Sequence, residues 1–345
     1  MILYPEMIDN EPQLEELLSR PTAEVVDLFK ALEGDIIFLG IAGKIGPSIA
    51  RMAKRGCEEA GVSKRIIGVS RFSNETEQKQ IESFGIETIR GDLLDPDFIN
   101  SLPKVKNVIF LAGMKFGSED NLSLTWAMNT YVPALVAGHF KDSRIVAFST
   151  GCVYPLATIG SGGSLESDQP VANGEYAQSC LGRERMFEYG SVKYGTRVSL
   201  VRLNYSVELR YGVLVDIASK VKNEGPLDLS MGYFNIIWQG DMNAMSLLTL
   251  SHCSTPAKVI NITGPEILSV RQVALEFGKL FGIAPKFIGK EAPTAILSNA
   301  GLSHRLFGLP AVSPGQIIQW TANWIGHENR LLNKQTHFEV RDGKY

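Results

Sequence analysis

The chain has no run of basic residues longer than a pair such as Lys64-Arg65, and its formal net charge is −3 over 345 residues. A surface without a basic stripe gains little from displacing counterions on a phosphate backbone, so nucleic acid is excluded as a partner. Cysteine is scarce. Cys57, Cys152, Cys180 and Cys253 show no Cys-x-x-Cys spacing, which argues against a disulfide framework or thiolate metal site and suits a reducing cytoplasm. The five histidines, at positions 139, 252, 304, 327 and 337, include no closely spaced pair, so no metal is expected. No apolar run reaches membrane-spanning length, and Met1-Ile-Leu-Tyr-Pro-Glu6 has no basic segment leading into an apolar core. The expectation is a cytoplasmic protein with no membrane partner.

Apolar residues are plentiful. At 44% hydrophobic and 21% charged, the chain can bury a large core in one large or two unequal domains. Asp35-Ile-Ile-Phe-Leu-Gly40 reads as a buried strand, and Pro47-Ser-Ile-Ala-Arg-Met-Ala-Lys54 carries helical apolar spacing. Between them lies Gly40-Ile-Ala-Gly43-Lys44-Ile45-Gly46. Strand, glycine turn and helix in that order form a phosphate-binding unit, with the pyrophosphate of a dinucleotide at the helix N-terminus. The next strand, Lys64-Arg-Ile-Ile-Gly-Val-Ser70-Arg71, ends in Ser-Arg where an acidic residue would accept bonds from an adenosine ribose. Arg71 beside Ser70 suits a 2′-phosphate, so NADP is favoured, with NAD possible.

Three further strand patterns follow, through Ile86–Asp92, Val108–Gly113 and Arg144–Thr150, with a helix starting at Asp95-Pro96. Alternating strands and helices predict an α/β, doubly wound parallel sheet of Rossmann type. Ligands collect beyond the carboxyl ends of such strands, which gathers Gly91, Asp92, Ala112, Gly113, Lys115 and Thr150 at one crevice. Beyond about residue 205 the pattern loosens into helices at 211–222 and 270–281 and a strand at 257–262, a smaller mixed α/β part for substrate. The expected division is a helical extension at 1–34, a dinucleotide-binding domain at 35–205, a substrate-binding part at 206–330 and a polar tail at 331–345. The extension reads as two amphipathic helices, packed on the domain or on a partner subunit.

These landmarks, over roughly residues 35–325, resemble the extended short-chain dehydrogenases/reductases of the NAD-dependent epimerase/dehydratase superfamily. The resemblance implies pyrophosphate contacts at Gly40, Gly43, Lys44, Ile45 and Gly46, and adenine contacts at Asp92 and Leu93. Phe110-Leu111-Ala112-Gly113-Met114-Lys115 is similar to the epimerase segment whose lysine approaches the nicotinamide ribose, and Asn129 resembles the asparagine of the following helix. Thr150-Gly-Cys152-Val-Tyr154 resembles Ser/Thr-x-x-Val-Tyr, and Tyr176 follows Thr150 by 26 residues, as the catalytic hydroxyl–tyrosine pair does. Asn204 resembles a substrate-facing asparagine, and Cys152 and Trp238 are expected beside the substrate. The family also pairs its helices near 119–139 and 175–193 across a two-fold axis, which implies a homodimer using Leu122, Leu124, Leu135, Phe187 and Tyr189.

The departures are as informative. In Gly174-Glu-Tyr176-Ala-Gln-Ser-Cys180 the lysine of Tyr-x-x-x-Lys is Cys180. Gly-Cys after Thr150 argues against a 4,6-dehydratase. Phe234 and Asn235 stand where sugar-nucleotide enzymes often carry Arg-Asp, so a smaller, less charged sugar or polyol derivative is expected. Two functions remain open: an NAD(P)-dependent oxidoreductase or epimerase on a carbohydrate-like substrate, with Tyr176 as acid/base, Thr150 polarising the oxygen and Lys115 assisting; or a non-catalytic dinucleotide sensor that has lost the lysine. Arg183, seven residues beyond Tyr176 and ~10 Å along the helix, would need a long reach to supply the missing charge.

Overall fold

Apolar runs too short for helices, flanked by glycine and polar residues, form the strands of a single parallel sheet in the computed structural model, which describes residues 4–115, 117 and 120–344. The strands are β1 (Ile36–Leu39), β2 (Ile66–Ser70), β3 (Glu87–Arg90), β4 (Asn107–Phe110), β5 (Arg144–Thr150), β6 (Arg197–Leu203) and β7 (Lys258–Ile262), in spatial order β7-β6-β5-β4-β1-β2-β3. Every pairing is parallel, with Ile36 opposite both Ile66 and Asn107. The order reverses beside β1, which opens the crevice between the carboxyl ends of β1 and β4. The last strand of this sheet, β7, lies beyond residue 205 and pairs with β6.

The helices used below are α1 (Glu11–Leu18), α2 (Ala23–Ala31), α3 (Gly46–Glu59), α4 (Glu75–Ser83), α5 (Pro96–Ser101), α6 (Leu122–Trp126), α7 (Val132–His139), α8 (Gly174–Tyr194), α9 (Val213–Lys222), α10 (Gln239–Leu248), α11 (Val270–Phe281), α12 (Gly301–Phe307) and α13 (Pro314–Gly326). Side-chain caps set several starts: Asn10 accepts from Gln13 N, Thr22 from Val25 N and Asp95 from Asp97 N. Alternation along β1 sends Ile36 and Phe38 to the face covered by α2, α3 and α10, and Ile37 and Leu39 to the opposite face, where Val136 and Phe187 pack. A third cluster, around Ile217, Phe234, Phe277 and Trp320, fills the C-terminal part.

The N-terminal extension packs on its own chain. Phe29 of α2 lies where a β-carbon on Gly56 of α3 would come within 2.7 Å, and Arg55 of α3 bonds Glu16 of α1. Arg210 pairs with Glu15 and Glu208, binding α1 to the C-terminal part. The expected polar tail is also built in. Phe338 is 1% exposed in the third cluster, Thr336 bonds Asp216 through its amide and hydroxyl, and Arg341 reaches the carbonyls of Ser230 and Thr294.

Candidate active site at the sheet's carboxyl edge

The glycine turn fits a dinucleotide by steric need. Gly40 has φ +93°, and a β-carbon there would lie 2.6 Å from Ala112 N; one on Gly46 would lie 2.0 Å from the Ile41 carbonyl. A side chain at either position would close the turn that leads the chain from β1 into the N-terminus of α3. Two cavities adjoin it, sharing Gly40, Gly43, Leu111 and Gly113. The smaller, about 270 Å³, is lined by Ser70, Arg71, Asp92 and Leu93, the residues expected around adenosine, and by Ala112. Asp92 also turns its own loop by accepting from Leu94 N. The larger, about 530 Å³, brings Lys44, Ile45 and Gly46 together with Lys115, Thr150, Cys152, Tyr176 and Asn204.

In the larger cavity Thr150 Oγ1 accepts from Cys152 N at 3.1 Å, so this hydroxyl caps a short turn while it lines the cavity. Neighbouring Ser149 is committed elsewhere, donating to Glu184 Oε1 at 2.5 Å. Tyr176, in the first turn of α8, shares a hydrogen bond with Cys180. Burial first, then the two sulfurs of Cys180 and Cys152, push its phenol well above the ordinary tyrosine range, while the Arg183 cation opposes the shift. Burial raises the Cys180 thiol as well, so it is held neutral beside the phenol. Lys115 Nζ lies 5.8 Å from the Tyr176 ring centroid. It is a cation within Coulombic reach, itself pushed down by burial.

Arg183 does have the reach that helix spacing made doubtful. It folds back toward the sheet, donating to the Phe148 carbonyl and to Asn129 Oδ1, both at 2.7 Å, and it lines the larger cavity. Asn129 lines neither cavity. It is fully buried, and its amide brackets Met114 by accepting from that residue's N–H and donating to its carbonyl. Its role is to hold the strand end that carries Lys115, from a π-helical turn at Ala127–Tyr131. Trp238 is corrected too: it is fully buried, edge-on to Trp320 at 5.3 Å, outside the lining of either cavity. An aromatic beside a glycine and an acid had no sequence signal to separate these two places.

No protein-family model matches the sequence, and no curated protein matches it significantly. Solved structures do. A dTDP-glucose 4,6-dehydratase of Streptomyces venezuelae, solved with NAD, superposes with a TM-score of 0.71 at 18% identity, over 85% of this chain and 97% of that one. A UDP-glucuronic acid 4-epimerase of Bacillus cereus, with NAD, gives 0.70 at 16% over 85% and 99%. A UDP-glucose 4-epimerase of Thermotoga maritima, with UDP-glucose, gives 0.69 at 15% over 85% and 99%. The chain has the fold of the sugar-nucleotide epimerases and dehydratases.

In this epimerase-type fold the site is completed by residues the sequence did not offer. Segment 331–344 contributes Lys334 and Thr336 to the lining of the larger cavity. Lys115 Nζ donates to the Thr336 carbonyl at 3.2 Å. Farther along, Gly343 packs so closely on Gly174 that a β-carbon on the latter would lie 2.3 Å from its carbonyl oxygen. The segment thereby touches the start of α8, two residues before Tyr176. Asn173 does not cap α8 with its side chain; its amide reaches the Arg341 carbonyl at 3.5 Å. Tyr205, Tyr211 and Gln239 also line the cavity.

Proposed function

We propose that this protein is an NAD(P)-dependent oxidoreductase or epimerase acting on a carbohydrate-like alcohol or ketone. The supporting observation is that Thr150, Tyr176 and Lys115 line one cavity with the glycine turn. A bound nicotinamide would supply hydride exchange with the substrate carbon. Tyr176 would hold or accept the proton at the substrate oxygen, and Thr150 would fix that oxygen by a hydrogen bond. Lys115 and Arg183 would favour the phenolate electrostatically, and the buried walls would keep water from competing. A screen of keto sugars, sugar acids and polyols, followed by nicotinamide absorbance, tests the reading. The second reading, a dinucleotide sensor without turnover, is favoured by the neutral Cys180 and the upward shift of Tyr176. Cofactor binding with no turnover on any member of the screen would support it.

The solved relatives named with NAD make a nicotinamide dinucleotide the expected cofactor class, and Arg71 beside Ser70 in the smaller cavity favours NADP. Arg71→Ala is expected to weaken NADP by ~1.5–3 kcal/mol, as loss of a charge-assisted hydrogen bond does, and to leave NAD nearly unchanged. Calorimetry on both proteins measures this. Tighter binding of NAD than of NADP by the unmodified protein would overturn the preference.

A homodimer is proposed from an apolar face. Leu122, Trp126 and Tyr131 are exposed on α6 and the turns that follow it, and Tyr189, Val192 and Tyr194 on α8. The expected residues are revised, since Phe187 is fully buried against Phe110 with ring centroids 5.3 Å apart. Light scattering at micromolar concentration is expected to give twice the chain mass, and Val192→Asp with Tyr189→Asp is expected to shift it to the monomer. A monomeric unmodified protein sinks the proposal.

A further inference from the structure

We propose, resting on the oxidoreductase reading above, that the larger cavity selects a small anionic sugar derivative, bearing a carboxylate or phosphate, and that Lys334 reads its charge. The lining holds Lys44, Lys115, Arg183 and Lys334 and, among the described residues, neither aspartate nor glutamate. The four cations come from four separate places: the glycine turn, the end of β4, the middle of α8 and segment 331–344. Arg183 is buried, Lys44 and Lys115 are half-buried and Lys334 is exposed; their convergence without a carboxylate in the lining gives the cavity a positive potential. At Lys44, whose ammonium stands 3.2 Å from the Tyr211 ring centroid, burial and then Lys334 and Lys115 press the pKa down to about 7. Asp216 and Glu208 oppose this more weakly. Both carboxylates have other partners: Asp216 accepts from Thr336, and Glu208 pairs with Arg210.

A dinucleotide does not account for all of this charge. Its pyrophosphate neutralises about two of the cations, and an oxidised nicotinamide restores about one positive charge. Arg183 is committed to Phe148 and Asn129; Lys334, the charged neighbour that acts most on Lys44, is brought to the cavity by segment 331–344. The segment that carries it is fixed two residues later by Thr336 on Asp216, and then by the burial of Phe338. Size sets the second limit. A cavity of about 530 Å³ that must also admit the nicotinamide half of a dinucleotide has room for a small sugar acid or sugar phosphate. This reverses the expectation of a less charged substrate, which rested on a missing arginine near Phe234. The charge is supplied instead by a segment remote in sequence.

Lys334 is exposed, so its substitution leaves the core intact. The test uses the full chain saturated with oxidised cofactor, with D-gluconate, D-glucose 6-phosphate, D-glucose and D-glucitol as calorimetric probes. At least one of the two anions is expected to bind about tenfold or more tightly than D-glucose, and which of them does so tells carboxylate from phosphate. Lys334→Gln is expected to erase most of that preference and Lys334→Arg to keep it, with cofactor affinity held within about twofold in both. Equal affinity for anions and neutral sugars, no detectable anion binding, or an unaltered preference in Lys334→Gln each overturn the proposal. So does an equal loss of cofactor affinity, which would assign Lys334 to the dinucleotide. Tyr176→Phe should bind the anion as the unmodified protein does, so failure of the catalytic reading and failure of this one are separable.

Discussion

Tyr176→Phe is expected to lower turnover by ~10²-fold or more, because it removes the hydroxyl proposed to exchange a proton with a substrate oxygen held by Thr150. Dinucleotide affinity should stay nearly unchanged, since the glycine turn and the smaller cavity are untouched. The pH dependence follows from the direction of the shift. Burial and the neighbouring sulfurs raise the Tyr176 pKa above its ordinary value near 10, so the neutral phenol persists through the physiological range. When the alcohol is oxidised the phenolate is needed, and activity should climb with pH into the alkaline range. When a ketone is reduced the neutral phenol is the donor, and the rate should be flat through neutrality. Cys180→Lys puts an ammonium one helical turn from the phenol, on the same face. It should move the alkaline limb of oxidation toward neutrality. An unshifted limb in a folded Cys180→Lys protein would mean the limb does not report Tyr176. Full activity of Tyr176→Phe on an identified substrate would remove the residue from the mechanism.

Glu184→Ala is expected to cost ~3–5 kcal/mol of stability, read by urea unfolding, because it leaves a buried guanidinium uncompensated. Glu184 is fully buried and Arg202 is 3% exposed; they meet through two hydrogen bonds, at 3.0 and 2.7 Å, and Ser149 donates to the same carboxylate. The pair ties α8 to β5 and β6 one turn beyond Cys180. The variant should therefore lose activity beyond its loss of folded protein, as Tyr176 shifts relative to Thr150. Joint replacement, Glu184→Met with Arg202→Met, should recover much of the stability, since no charge is then left buried. A loss under ~1 kcal/mol in Glu184→Ala would show that water or a rearranged partner satisfies Arg202.

The sequence by itself determined the parallel sheet, the glycine turn, the strand end that carries Thr150, and helices in the N-terminal extension and near 211–222 and 270–281. Each of these is a local consequence. Apolar period fixes strand or helix, a side-chain acceptor fixes a helix start, and the crowding at Gly46 arises from Ile41 of the same turn. Tertiary structure alone decided the charge of the site. Arg183 reaches the crevice because its side chain folds back onto Phe148, which helical spacing does not specify. Trp238 left the site because Trp320 gives it a core partner. Segment 331–344 reads as a polar tail, with one aromatic and no clear period, and it becomes a wall only by meeting Asp216, Lys115 and Gly174. The contact of Lys115 with Thr336 spans 221 positions. Nothing in the local pattern of either residue encodes such a meeting, because it depends on where the sheet and the C-terminal part place their loops.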